Sequence, residues 1–288
     1  MTTKTPVHKF SRDGNRLYLN PESRETVPSV TSITDALPKP FLQFWGQKIV
    51  AQCAIDNIEI LPTLLEANGR QGLEDFLKKA PQRNTADAAQ MGSTAHKMFD
   101  ELSTKGETEN PFDQDEEAEK FGIADQYIDQ FINFLDVVDP EFLYTEETVW
   151  SETQGYAGSF DAIVKLSTAK LKELIEPEAF DLLGINARKK SIICMLDYKT
   201  SRSGVYPEVA LQVNAYNGAD FIVRGDAEKL KLPKCDIGLV LHIRPDFWKL
   251  HPVALHEDIF SMFLSLKHTK QWDKLKKGVL GKPIVESF

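Results

Sequence analysis

The spacing of apolar positions changes character once along the 288-residue chain, near Asp139-Pro140. Ahead of that point it is mostly helical, and beyond it mostly that of strands. The opening HKFSRDGNRLYLN predicts a hairpin, because Asp13-Gly14 followed by Asn15 is turn chemistry between two short alternating stretches. VPSVTSITDALPKP supplies Ser and Thr caps and ends in a Pro-Lys-Pro break, after which FLQFWGQKIVAQCAIDN resumes helical spacing. Further helices are expected over 60–79 and 85–102. The acidic stretch 113–139 continues as an amphipathic helix, with Phe121, Tyr127, Ile128, Phe131 and Leu135 along its apolar stripe.

After the break, FLYTEETVWSE is rich in aromatic and β-branched residues and starts a sheet. GYAGSFDAIVKL, SIICMLDYKT and CDIGLVLHIRP supply three more strands, and WKLHPVAL offers another. PEVALQVNAYNGADFIV reads as a helix between SIICMLDYKT and CDIGLVLHIRP, opened by Pro207, and 257–276 as a closing helix. Residues 167–190 join two strands and read as an insertion with its own short helix. This organisation predicts a hairpin and helical region over 1–82 and an α/β core over 83–288.

Hydrophobic residues at 42% and charged residues at 27% are the balance of a folded globular chain, which excludes wholesale disorder and fibrous states. No apolar run approaches the ~18 residues of a membrane span, and MTTKTPVHKF lacks a signal-peptide stretch, so a cytoplasmic location is expected. Cys53, Cys194 and Cys235 are widely separated and odd in number, which predicts reduced thiols rather than disulfides or a thiolate cluster. The net charge of −9 argues against a nucleic-acid partner until its distribution is considered. Asp100 to Glu147 holds 16 acidic residues against Lys105 and Lys120, leaving +5 on the rest of the chain. The acidic helix is therefore not expected to touch DNA. KHTKQWDKLKK at 267–277 is the densest basic stretch, either a solvated helix face or a surface able to neutralise phosphates.

Asp197 and Lys199 lie two apart on a strand and so face the same way. The apolar SIICML before them predicts burial on both faces, where an isolated charge is costly unless paired or bound to a cation. A structural salt bridge is the plain alternative. Asp161 is a second acid in an apolar strand, with Gly155 and Gly158 permitting close backbone approach. Two neighbouring carboxylates repel unless something positive sits between them, and hard Mg²⁺ or Mn²⁺ takes such oxygens. Asp161 standing alone could equally end a strand. His96, with small Gly92 and Ala95 nearby, sits on a helix that could approach closely and add an imidazole, or it is a packing residue. Gln212 and Tyr216 share a helical face that Glu208 extends, a functional face or a surface edge.

Together, G-S-T-A-H at 92–96, G-S-F-D at 158–161, D-Y-K-T at 197–200 and Q-V-N-A-Y at 212–216 resemble the RecB-type branch of the PD-(D/E)XK nucleases, in order and spacing. That branch includes the nuclease domain of bacterial recombination helicases, CRISPR-adaptation exonucleases, the mitochondrial genome-maintenance exonuclease and phage exonucleases. VPSVTSITDALPKPFLQFW resembles the start of phage and mitochondrial members. The resemblance implies an α/β fold, with a central mixed sheet flanked by helices and a metal site at one sheet end. Carried over, His96, Asp161 and Asp197 would be ligands of Mg²⁺ or Mn²⁺, with the carbonyl of Tyr198 a fourth. Lys199 would orient or help deprotonate the attacking water, Gln212 would support that water or the lysine, and Tyr216 would contact DNA or pack beneath. Several relatives carry four cysteines on an iron–sulfur cluster; with three here, none is expected.

The implied activity is metal-dependent DNA exonuclease, in phage or bacterial recombination, repair or replication. A structure-selective endonuclease and a non-cutting DNA-end-binding subunit are the alternatives. The expected partner is DNA, single-stranded or with free ends, with a recombination or replication protein as a further candidate and no membrane. Phe44, Trp45, Trp248 and Trp272 are candidates for base stacking, with core packing the plain alternative.

Overall fold

A computed structural model describes residues 5–108, 118–186 and 188–285. Residues 113–117 of the expected acidic helix, and the side chain of Phe121, lie outside what is described. The chain forms two compact units, residues 1–37 together with 98–288, and Pro38–Lys97. The N-terminal hairpin thus belongs with the sheet and not with the helices that follow it.

In the larger unit, β1 (Lys9–Arg12) and β2 (Asn15–Leu19) pair antiparallel across Asp13 and Gly14, whose φ angles of 51° and 73° suit a tight hairpin turn. β3 (Thr26–Pro28) completes a small sheet, and α1 (Val30–Thr34) starts at Ser29, whose side chain accepts from the Ser32 amide. The main sheet has β4 (Glu141–Ser151), β5 (Tyr156–Ser167), β6 (Ser191–Lys199), β7 (Phe221–Val223), β8 (Lys229–Leu230), β9 (Ile237–Arg244) and β10 (Phe247–Val253). Their order is β10-β9-β6-β5-β4-β7-β8. β6 and β9 run parallel and the other neighbours antiparallel, so the sheet is mixed. A parallel pair needs a crossover, and α8 (Val209–Asn217) lies in that connection.

Helices cover both faces. Val30 and Ile33 of α1, Val213 and Tyr216 of α8 and Phe263 of α9 (Glu257–Lys270) share one core with Phe160, Met195 and Val240. On the other face Phe131 of α5 (Ala118–Val138) stacks on Phe99 at 4.4 Å, and both meet Tyr198 edge-on. Central β6 is buried from Cys194 through Tyr198, which is why its sequence is apolar without alternation. The insertion forms α6 (Thr168–Leu174) and α7 (Pro177–Leu182). No helix among the described residues is long and apolar enough to cross a membrane.

Two expected elements change. The helix after Pro207 stops at Asn217, and FIV becomes β7 because Ile222 pairs with Val149 and is fully buried. Gly218 ends that helix where a side chain would strike the Phe260 ring, 2.7 Å from an added Cβ. The closing helix ends at Lys270, with a short α10 (Trp272–Leu275) after it.

The second unit holds α2 (Phe41–Asp56), α3 (Leu61–Lys78) and most of α4 (Ala80–Lys105). Gly69 breaks α3 with φ 65°. Arg83 lies over the Phe76 ring and donates to the Cys53 sulfur at 3.6 Å.

Candidate functional site

The end of β6 presents Asp197 and Lys199 toward α8, as their spacing requires. Their ion pair measures 2.5 Å, with the Asp197 side chain 3% exposed and Lys199 at 31%. Gln212 reaches in from α8 and donates through Nε2 to Asp197 Oδ1 at 2.9 Å and to the Tyr216 hydroxyl at 3.0 Å. A four-residue spacing stacks Gln212 over Tyr216 on one helical face. That makes the polar interruption of α8 a strut from helix to carboxylate. Glu208 sits at the N-cap of the same helix, one turn ahead of Gln212 in the chain.

Asp161 comes from β5, the antiparallel neighbour of β6. Its Oδ2 accepts from the Tyr198 amide at 2.5 Å, tying the two acid-bearing strands where their pairing ends. The Tyr198 side chain points to the opposite face, against Phe99 and Phe131. Gly158 explains the small residue in G-S-F-D: a Cβ there would come within 2.6 Å of the Tyr216 ring and 2.8 Å of Val30. The Tyr18 hydroxyl accepts from the Ser159 amide at 3.1 Å, fixing the small sheet to this part of β5.

The charge of the cluster is legible in its neighbours. Burial, then Asp197 and Asp161, raise the Tyr216 hydroxyl well above the usual tyrosine range. Burial, followed by Asp161, Glu146 and Asp100, does the same to Tyr198. Burial works against the charge on Lys199, but Asp197 and Asp161 outweigh it and raise its pKa.

Sequence reasoning missed Glu146. The register pairs Thr145 with Ala162 and Glu147 with Phe160, which sets Glu146 across from Asp161. Carboxylate oxygens of the two come within 4.8 Å of each other. Glu146 has φ 47°, a left-handed turn of backbone that is uncommon within a strand. Its neighbour Glu147 goes the other way and is buried against Arg224, which donates from Nη2 at 2.7 Å. Nothing in TEET distinguishes these glutamates; only strand pairing does.

His96 lies on α4 at the end of the second unit, and Met98 begins the first. Trp248 donates to Asn133 at 2.8 Å and packs edge-on against Phe134, so its indole is part of the fold. Trp272 is 54% exposed and Phe44 71%. Cys194 and Cys235 are buried. Compared with models of known protein families and with curated proteins, the chain matches none.

Proposed function

We propose that this chain is a metal-dependent DNA exonuclease of the PD-(D/E)XK type, acting in recombination, repair or replication of phage or bacterial DNA. The observation that carries the reading is the meeting of Asp161, Asp197 and Lys199 where the pairing of β5 with β6 ends, with Gln212 bracing Asp197 from α8. Glu146, Asp161 and Asp197 supply carboxylate oxygens, the ligands that a hard divalent cation takes. The donor set fits Mg²⁺ or Mn²⁺, being oxygen-rich. Asp161 and Glu146, whose carboxylate oxygens lie within 4.8 Å of each other, would hold the ion, with the Asp197 carboxylate as a further oxygen ligand. When bound, such an ion lowers the pKa of a coordinated water and neutralises charge on phosphoryl oxygens. Lys199 places its ammonium beside the carboxylates, where a scissile phosphate must approach. Gln212 holds the Asp197 carboxylate in one orientation, and Tyr216 keeps Gln212 in place.

End-labelled linear DNA, single- and double-stranded, is incubated with Mg²⁺ or Mn²⁺ and with chelator. Cleavage should require metal and be lost in Asp161→Asn and Asp197→Asn proteins of unchanged circular dichroism. Mn²⁺ should raise the melting temperature of the wild type more than that of Glu146→Gln. Full activity in chelator, or in Asp197→Asn, refutes the reading. Cleavage of closed circles identifies the endonuclease instead, and end binding without products identifies the non-cutting subunit.

A further inference from the structure

The loop leaving β6 carries an inference that rests on the nuclease reading and deepens it. Its inner side is pinned to the parallel strand β9. Arg244 Nη1 donates to the Thr200 carbonyl at 2.7 Å, and His242 Nε2 is hydrogen-bonded to the Ser201 carbonyl at 2.8 Å. Arg244 is itself held by the Tyr127 hydroxyl at 2.6 Å. Ser201 Oγ donates to the Gly204 carbonyl, and Gly204, with φ 99°, lets the chain turn back.

The outer side is different. Among the described residues the amides of Ser201, Arg202 and Ser203 donate to nothing. Arg202 is exposed and has no ion-pair partner among the described residues. Carbonyls tied inward, consecutive amides left over and a free guanidinium beside them form a donor set for an anionic oxygen cluster. Burial raises the pKa of the Tyr127 hydroxyl, and the positive charges of Arg244 and Arg202 act against it. The loop begins immediately after Lys199, so an anion held there lies along the chain from the acid pair.

We propose that Thr200–Gly204 is a phosphate-binding loop: the amides of Ser201 to Ser203 and the guanidinium of Arg202 grip a backbone phosphate of the DNA strand flanking the bond presented to Asp161 and Asp197. Arg202 is then a substrate-binding residue that sets affinity without taking part in bond breaking.

Steady-state cleavage and anisotropy titrations with a fluorescent single strand, at 50 to 200 mM salt, compare the wild type with Arg202→Ala, Arg202→Lys and Arg202→Glu. Arg202→Ala should raise KM about 5- to 15-fold with kcat nearly unchanged, the loss expected for one charge-assisted contact. The slope of log affinity against log salt should fall by about 0.7, one phosphate contact on a single strand. Arg202→Lys should keep most of the slope, and Arg202→Glu should bind worst. A wild type that cuts DNA alongside an Arg202→Ala protein of equal KM and equal slope overturns the loop assignment alone. A wild type that neither binds nor cuts DNA overturns the nuclease reading and the loop with it.

Discussion

Adding one methyl group at Gly158 should disturb the candidate site from the opposite side of its supporting tyrosine. An alanine Cβ would sit 2.6 Å from Tyr216 Cε1, 3.2 Å from its Cδ1 and 2.8 Å from Val30 Cγ2. Tyr216 is 3% exposed and Val30 fully buried, so neither can swing into solvent. Overpacking of this kind costs about 1–3 kcal/mol. Losing a glycine from the unfolded chain returns about 0.4–1 kcal/mol, which at the middle of both ranges leaves a net loss of about 1.3 kcal/mol. The displacement also propagates, because the Tyr216 hydroxyl contacts Gln212 and Gln212 contacts Asp197. Urea unfolding followed by circular dichroism measures the first effect. Pairing Gly158→Ala with Tyr216→Leu measures the coupling, since removing the ring should shrink the alanine penalty by about 0.5 kcal/mol or more. If nuclease activity is present, kcat should fall as well. Gly158→Ala within about 0.5 kcal/mol of wild type, the range of a neutral surface change, would refute the claim that this glycine is required by the tyrosine.

Arg224→Met leaves Glu147, whose side chain is 4% exposed, without its bidentate partner. It should cost about 3–5 kcal/mol in urea unfolding, and the Glu147→Met/Arg224→Met pair should recover most of it; an equally unstable double variant would show that the ion pair is not what matters. Burial, with Asp236 adding to it, pushes the Cys235 thiol up to about 12, and burial pushes Cys194 higher still. Iodoacetamide at pH 8 should therefore modify half-buried Cys53 first in the native protein, and equal labelling rates at all three would contradict the burial of the other two. His251 is held below the usual histidine value by burial, His242 and Lys249. The unfolded chain then takes up more protons than the native one as pH falls through about 6.5, so stability should decline across that window. His251→Gln should flatten the decline, and an unchanged profile would assign it elsewhere.

Local chemistry is legible in the residues themselves. Asp13-Gly14 announced the hairpin, the Ser and Thr caps of VPSVTSITDALPKP a helix start, and the nearly continuous apolar run SIICML the doubly covered strand carrying Asp197 and Lys199. The four-residue spacing of Gln212 and Tyr216 put both on one face of α8, where they do share a hydrogen bond. Each of these depends on neighbours within about one helical turn or one strand, the range over which backbone preference and side-chain periodicity act.

What the residues alone could not decide was which distant segments pair. Phe221–Val223 continues a helical pattern locally and became a strand because β4 offered it hydrogen bonds and burial. Glu146 and Glu147 are chemically identical neighbours, yet register sent one toward Asp161 and the other under Arg224. The loop after Lys199 took its shape from Arg244 and His242, some forty residues further on. Sequence determined the elements and the residue types able to carry chemistry. Only the tertiary structure decided which charges stand together, because a buried charge is tolerated solely where a partner from elsewhere in the chain arrives to meet it.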